Sequence, residues 1–326
     1  MIEKAAVPDR NLRTRPKIGN EIIFLCIVIA ALCLISWMIN PRFFTVSNFL
    51  TIFQQVAVLG ILTSAMLMLL VTGMLDLSYG SLIGLCSVAL CNMISVQGVN
   101  PWLAFLAMFA IAIGAGALNG FIVTRFSCNP LIVTIGTGYI YLGFAQVISG
   151  GTYQSIGGAF PAIGTGKVGS IPMPMIVLLI VLVLMFIFLR YLPFGRKLHI
   201  IGGNPEVAFL SGIPVNKYKM LTFILGCGIA GLAAFVLTSR IGSALPTNGS
   251  GYELNALAAA IIGGASFSGA KGTVPGAFLG VLLLGIVNNA LNILGVDAFY
   301  QTVVLGVIIV ITVIVSNLKN IERRLR

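Results

Sequence analysis

The sequence predicts an all-α polytopic membrane protein with about ten transmembrane helices and both termini in the cytoplasm. Three observations carry this. First, 58% of the 326 residues are hydrophobic and only 8% are charged, whereas about a quarter of the residues of a water-soluble domain are charged; the mean hydropathy is +1.07. Second, apolar runs recur at the length of about 20 residues that a helix needs to cross the hydrocarbon with its backbone bonded internally. Third, the Lys and Arg residues behind the net charge of +11 bunch between those runs, the pattern of the positive-inside rule rather than of a nucleic-acid-binding face.

Taken in order, residues 1–20 are a polar cytoplasmic segment with five basic residues. The apolar run that follows is too long for a signal-peptide core and lacks a small-residue cleavage site, so it is expected to stay as the first span. Ten spans are expected: Ile22 to Ile39, Val56 to Gly73, Tyr79 to Val96, Pro101 to Val123, Pro130 to Ile148, Met173 to Leu189, Met220 to Ser239, Leu254 to Ala265, Thr273 to Val296 and Ala298 to Asn317. The eighth is short and rich in small residues, which predicts a short or broken helix near 254–265. With both termini inside, 16 of the 19 Lys and Arg residues fall on the cytoplasmic side, leaving Arg42, Lys167 and Arg240 outside. An odd span count would put one basic terminus outside, so an even count is favoured. The membrane region thus spans 21–318, with a cytoplasmic loop at about 191–219 and a cytoplasmic tail at 319–326.

The connections differ in character. Gly150 to Ser170 is glycine-rich and nearly uncharged, as suits an external loop that shapes a mouth or docks a partner. Tyr191 to Lys219 is basic and internal. Within it, Asn204 is a good N-cap, Pro205 fits the first helical position, Glu206 suits the positive helix end, and Gly212 can end the helix in the left-handed conformation. The short helix holds Val207, Ala208, Phe209 and Leu210 and is followed by Ser211. It reads either as a helix lying on the headgroups or, preferably, as a peg whose apolar tip inserts into another protein. A weak internal echo links spans two to three with spans eight to nine, as expected of transporters built from two repeats.

Polar groups at membrane depth are costly and mark candidate positions. Asp76 and Ser78 stand between the second and third apolar runs, either lining a solute path or capping the third span. Asn288 and Asn292 share one face of the ninth span by their four-residue spacing, with Asn289 beside them, and Gln54 and Gln55 open the second. Such amides either bond a neighbouring helix or meet a polar solute. Catalytic and metal sites are not expected: Cys26, Cys33, Cys86, Cys91, Cys128 and Cys227 are scattered, and His199 has no ligand partner nearby. Gly164 to Gly169 fits GxGxxG without a preceding strand, and Gly264 to Lys271 has Ala270 where a phosphate loop needs lysine. No ATPase is encoded in these residues.

Several segments in order resemble the permease subunits of ribose-type sugar ABC importers: TGMLDLSYGS (72–81), ALNGFIVTRFSCNPLIVTIGT (117–137), FGRKLHIIGGNPEVAFLSGIPVNKYK (194–219), GYELNALAAAIIGGASFSGAKGTVPGAFLG (251–280) and NNALNILGVDAFYQTVVLGVIIV (288–310). The resemblance runs from about Asn40 onward. It implies a permease in the bacterial inner membrane that pairs with a second copy or a related permease, rests on two ATP-binding chains that carry ATP and Mg²⁺, and receives its solute from an external sugar-binding protein. It implies further that Asn204, Pro205, Glu206, Ala208, Leu210, Ser211 and Gly212 belong to the helix that docks into the ATPase, in agreement with the peg. Met74 departs from the glycine usual in that family. Ribose or a related sugar is the implied solute, and GSLIGLCSVAL (80–90) with NPLIVTIGTGYIYLG (129–143) also resembles autoinducer-2 permeases. The rival class is an ion-coupled secondary sugar transporter, for which the spans offer only Asp76 and Glu253, both at helix ends. A passive channel would have no use for the peg, and a membrane enzyme would lack its nucleophile, base and acid.

Overall fold

Helix starts recur in one form along this chain. Asn100 precedes Pro101 and Asn129 precedes Pro130; in each, the Asn Oδ1 accepts from the amide two residues on, Trp102 and Leu131, at 2.9 Å. Proline gives up an amide that a first turn cannot pair anyway, and the Asn side chain satisfies the next one.

The computed structural model describes residues 18–324, so the first 17 residues of the expected N-terminal segment and residues 325 and 326 of the tail lie outside it. The helices are α1 (Ile18–Ile39), α2 (Val46–Val71), α3 (Tyr79–Ser95), α4 (Pro101–Arg125), α5 (Pro130–Ser149), the single turn α6 (Pro161–Gly164), α7 (Met173–Arg190), α8 (Pro193–Gly203), α9 (Pro205–Leu210), α10 (Val215–Ile241), α11 (Tyr252–Ile262), α12 (Val274–Ile293) and α13 (Ala298–Arg324). A 3-10 turn, Pro41–Phe44, separates α1 from α2. Four two-residue strands, β1 (Gln154–Ser155), β2 (Lys167–Val168), β3 (Ile171–Pro172) and β4 (Ser243–Ala244), form the antiparallel pairs β1–β4 and β2–β3. The glycine-rich 150–170 loop is therefore pinned to the segment after α10.

The protein is an all-α membrane protein. Among the described residues seven helices are long and apolar enough to cross a bilayer, α1, α2, α4, α5, α7, α10 and α12, and three apolar helices are shorter, α3, α11 and Ala298–Ile311 of α13. The short eighth segment is thus joined by a short third one. Several helices begin earlier than the apolar runs suggest, α2 and α10 by the most. α2 starts at Val46, where the Thr45 hydroxyl accepts from the Asn48 amide at 3.3 Å, and α10 starts at Val215. Hydropathy marks where a helix becomes apolar, not where its backbone bonding begins.

α2 is the core. From Val56 to Val71 every residue except Leu59 is buried, and the helix packs on α7, α10, α11 and α12. α4 lies along α10, where a methyl group added at Gly116 would come 2.6 Å from the Phe223 carbonyl oxygen; small residues let membrane helices approach this closely. The packing has an internal repeat. α4 packs on α10 as α12 packs on α2, and α3 packs on α5, α4 and α10 as α11 packs on α13, α12 and α2. This relates α2–α5 to α10–α13, each unit having a shortened second helix. The echo expected between spans two to three and eight to nine is therefore out of register with the packing: similar glycine and serine residues recur there because both connections turn sharply between apolar helices. The shortened helices start beside each other, since the chain after β4 runs along α3, with Gly84 against the Pro246 carbonyl and Gly80 against Gly249 and the Glu253 carboxylate.

Candidate functional site

Two features combine chemistry with placement: the α8–α9 arm and a buried carboxylate at the start of α3. In α9, Asn204 Oδ1 accepts from the amides of Glu206 at 2.9 Å and Val207 at 3.2 Å, Pro205 takes the first position, and Gly212 has φ of +79°. The Ser211 hydroxyl donates to the Val207 carbonyl at 2.7 Å. One face seats the helix: Ala208 is buried with Ile201, Ile213 and Val215. The other stands free, with Val207 54%, Phe209 70% and Leu210 83% exposed. Between α9 and the first turn of α10 runs an open groove lined by Pro205, Glu206, Phe209 and Leu210 on one side and Val215, Asn216 and Lys219 on the other.

The arm holding α9 is a second helix that composition did not announce. In α8, Gly195, Leu198, Ile201 and Gly202 are buried, an inward stripe at three- and four-residue spacing. Lys197 Nζ donates to the Tyr218 hydroxyl at 2.8 Å and lies 5.0 Å from its ring centroid, tying α8 to α10. The readable signal was Pro193 at a first helical position with Leu198 and Ile201 three apart.

Asp76 and Ser78 come together and are fully buried. Asp76 Oδ1 accepts from the Ser78 amide at 2.8 Å and from its hydroxyl at 2.5 Å. Asp76 Oδ2 accepts from Asn119 Nδ2 at 3.0 Å and from the Cys227 thiol at 3.7 Å. Asn119 Nδ2 also reaches Ser78 Oγ at 3.0 Å, and the Tyr141 hydroxyl donates to Asn119 Oδ1 at 3.1 Å. The Leu77 amide donates to Thr134 Oγ1 at 3.1 Å. The carboxylate thus ties the 72–78 connection to α4 and α10, and the Leu77 amide ties it to α5. Ser78 stands at the N-cap of α3 without a side-chain cap bond, because its hydroxyl is turned to Asp76. Sequence reading singled out neither Asn119 nor Tyr141; the lone amide of Asn119 inside an apolar span was the available signal.

The amides of α12 divide. Asn289 is buried and exchanges two hydrogen bonds with Asn48 of α2, at 2.9 and 3.0 Å, the helix-to-helix role. Asn288 is half-buried, while Asn292 is exposed and accepts from Gln301 Nε2 at 2.9 Å. Gln55 is exposed, and Gln54 offers its carbonyl to Arg240 at 2.8 Å. None of these amides contacts Asp76 or Ser78 through a hydrogen bond. All six cysteines are free thiols, and among the described residues no three His, Cys, Asp or Glu side chains gather as metal ligands.

The chain thus joins a short helix with an uncovered apolar tip to a bundle of apolar helices. The family model described as branched-chain amino acid transport system / permease component matches residues 48–313. The chain belongs to this permease family. The permease is 36% identical over 301 residues to the ribose import permease of Bacillus subtilis (strain 168), covering 91% of each chain. It is 35% identical to that of Escherichia coli (strain K12), over 92% of this chain and 94% of the relative. The D-allose transport permease of the same strain is 35% identical over 89% and 90%. Similarity of this extent makes the chain a ribose-type ABC permease, a multi-pass transport subunit. No solved structure matches it.

Proposed function

We propose that this chain is the membrane-spanning subunit of an ATP-driven importer that moves a monosaccharide, ribose or a related sugar, into the cell by alternating access. The observation that carries this reading is α9, a helix held out by its own cap and its left-handed stop with Phe209 and Leu210 uncovered. An apolar tip of this kind needs a cover, and Asn204, Pro205, Glu206, Ala208, Phe209, Leu210, Ser211 and Gly212 are the residues that would enter a cleft of an ATP-binding subunit. ATP and Mg²⁺ belong to that partner, and this chain carries no cofactor. Full-length similarity to ribose and allose permeases supports the sugar.

The reading includes ten membrane segments, α3, α11 and α13 completing the seven long ones, with both termini cytoplasmic in the bacterial inner membrane. It includes a second permease copy or a related permease, and an external sugar-binding protein that hands over the solute. Gln55, Asn288 and Asn292 are the candidate path residues with accessible amides. Asp76 and Ser78 belong to the path as the frame that fixes the start of α3 beside it.

The test is uptake of labelled ribose by cells with and without this chain, under ATP depletion with the proton gradient maintained and under the reverse condition. Uptake that follows ATP supports the importer. Uptake that follows the gradient and ignores ATP means an ion-coupled carrier.

A further inference from the structure

Three stretches of backbone cross at one point beside the root of α9. Gly202, the next-to-last residue of α8, lies so close to its neighbours that a methyl group added there would overlap the Val71 carbonyl oxygen and come 2.6 Å from the Ala270 nitrogen. The Ala270 amide donates to that same Val71 carbonyl at 2.9 Å. Gly269 in turn packs directly on the Gly202 carbonyl. Gly269 and Ala270 adopt positive φ, +81° and +57°, and this turn aims the Ala270 amide at Val71.

The chain directions give the crossing its meaning. Val71 is the last residue of α2 and leads into the 72–78 connection that holds Asp76. Ala270 lies in the connection between α11 and α12, and Gly202 is two residues from Asn204, the cap of α9. No side chain intervenes, so there are no rotamers to absorb a displacement, and a close-packed contact transmits strain instead of deforming.

We propose that Gly202 is a positioning residue for energy coupling. Its seat against Val71 and Gly269–Ala270 makes α9, α8, the end of α2 and the α11–α12 connection move as one body, so that a push on α9 reaches the 72–78 connection of one repeat and the α11–α12 connection of the other directly. This rests on reading α9 as the ATPase-docking peg.

The test uses the assembled importer, permease with its ATPase and sugar-binding protein, in proteoliposomes. Gly202→Ala should retain the ATPase, since the exposed tip is untouched, while ATP hydrolysed per sugar imported rises by about fivefold or more. Poor folding alone would lower both activities together and leave that ratio unchanged. A second variant covers the case in which Gly202→Ala does not accumulate. A methyl group added at Gly203 would lie 3.8 Å from the Ala270 Cβ, the usual spacing across a disulfide, so Gly203→Cys with Ala270→Cys, in a background carrying Cys26→Ser and Cys128→Ser, can be locked by oxidation. The locked importer should work within about twofold of its reduced form. Uptake lost on oxidation and regained on reduction would mean that the two segments slide past each other, and failure of the pair to cross-link would mean that they do not meet; either overturns the proposal, as does an unchanged ratio in Gly202→Ala. The peg reading fails separately, if Leu210→Asp leaves the ATPase bound.

Discussion

Four donors converge on the two oxygens of Asp76, from the Ser78 amide and hydroxyl, Asn119 and Cys227. A carboxylate can accept all four, whereas an amide must turn an NH₂ group toward one of these donors. Asp76→Asn should therefore cost about 1–3 kcal/mol of stability, the range for a buried polar group left without its partner. In detergent this would appear as a lower unfolding temperature, with uptake per folded molecule little changed. Unchanged thermal stability with lost uptake would mean that the carboxylate acts on the solute itself. Asp76 was legible in the sequence because a charge between apolar runs is costly anywhere in a membrane. Its partners were not, because Asn119, Tyr141 and Cys227 sit on three helices whose facing sides a linear pattern does not reveal.

At the scale of elements, α9 was readable almost to the residue because its determinants are local: a cap, a proline and a glycine within nine positions. The Asn204 cap is open to direct test. Asn204→Ala should cost the short helix about 1 kcal/mol, and because a six-residue helix has little else to hold it, the ATPase should co-purify in lower yield. Asn204→Ser, which restores an acceptor, should recover most of that yield; equal yield in all three proteins would show that the tip docks without the cap. The start of α2 escaped the sequence for the opposite reason. Its first turns mix Ser47, Asn48, Thr51, Gln54 and Gln55 with apolar residues, and one of those polar groups is matched by a distant partner, Asn48 pairing with Asn289. The crossing of Gly202 with Val71 and Ala270 was likewise invisible, since nothing in a glycine's neighbours tells which backbone it will touch.

At the scale of the whole molecule, the packing of α2–α5 repeats in α10–α13, and it leaves two shortened helices, α3 and α11, starting side by side. The proposed orientation, with both termini cytoplasmic, assigns a side to every connection. Cys128, exposed in the α4–α5 connection, should then react with a membrane-impermeant maleimide in inside-out vesicles and stay unlabelled in intact cells with a permeable outer layer. Labelling from the outside would invert the orientation and move α9 to the wrong face for an ATPase.

The most direct measurement is affinity capture of the tagged permease from native membranes in mild detergent, comparing the natural sequence with the Phe209→Asp, Leu210→Asp double variant. An ATP-binding subunit should travel with the natural protein and be absent from the variant, although the variant still reaches the membrane. Recovery of the natural protein without such a subunit, or retention of the subunit by the variant, would contradict an importer driven through α9.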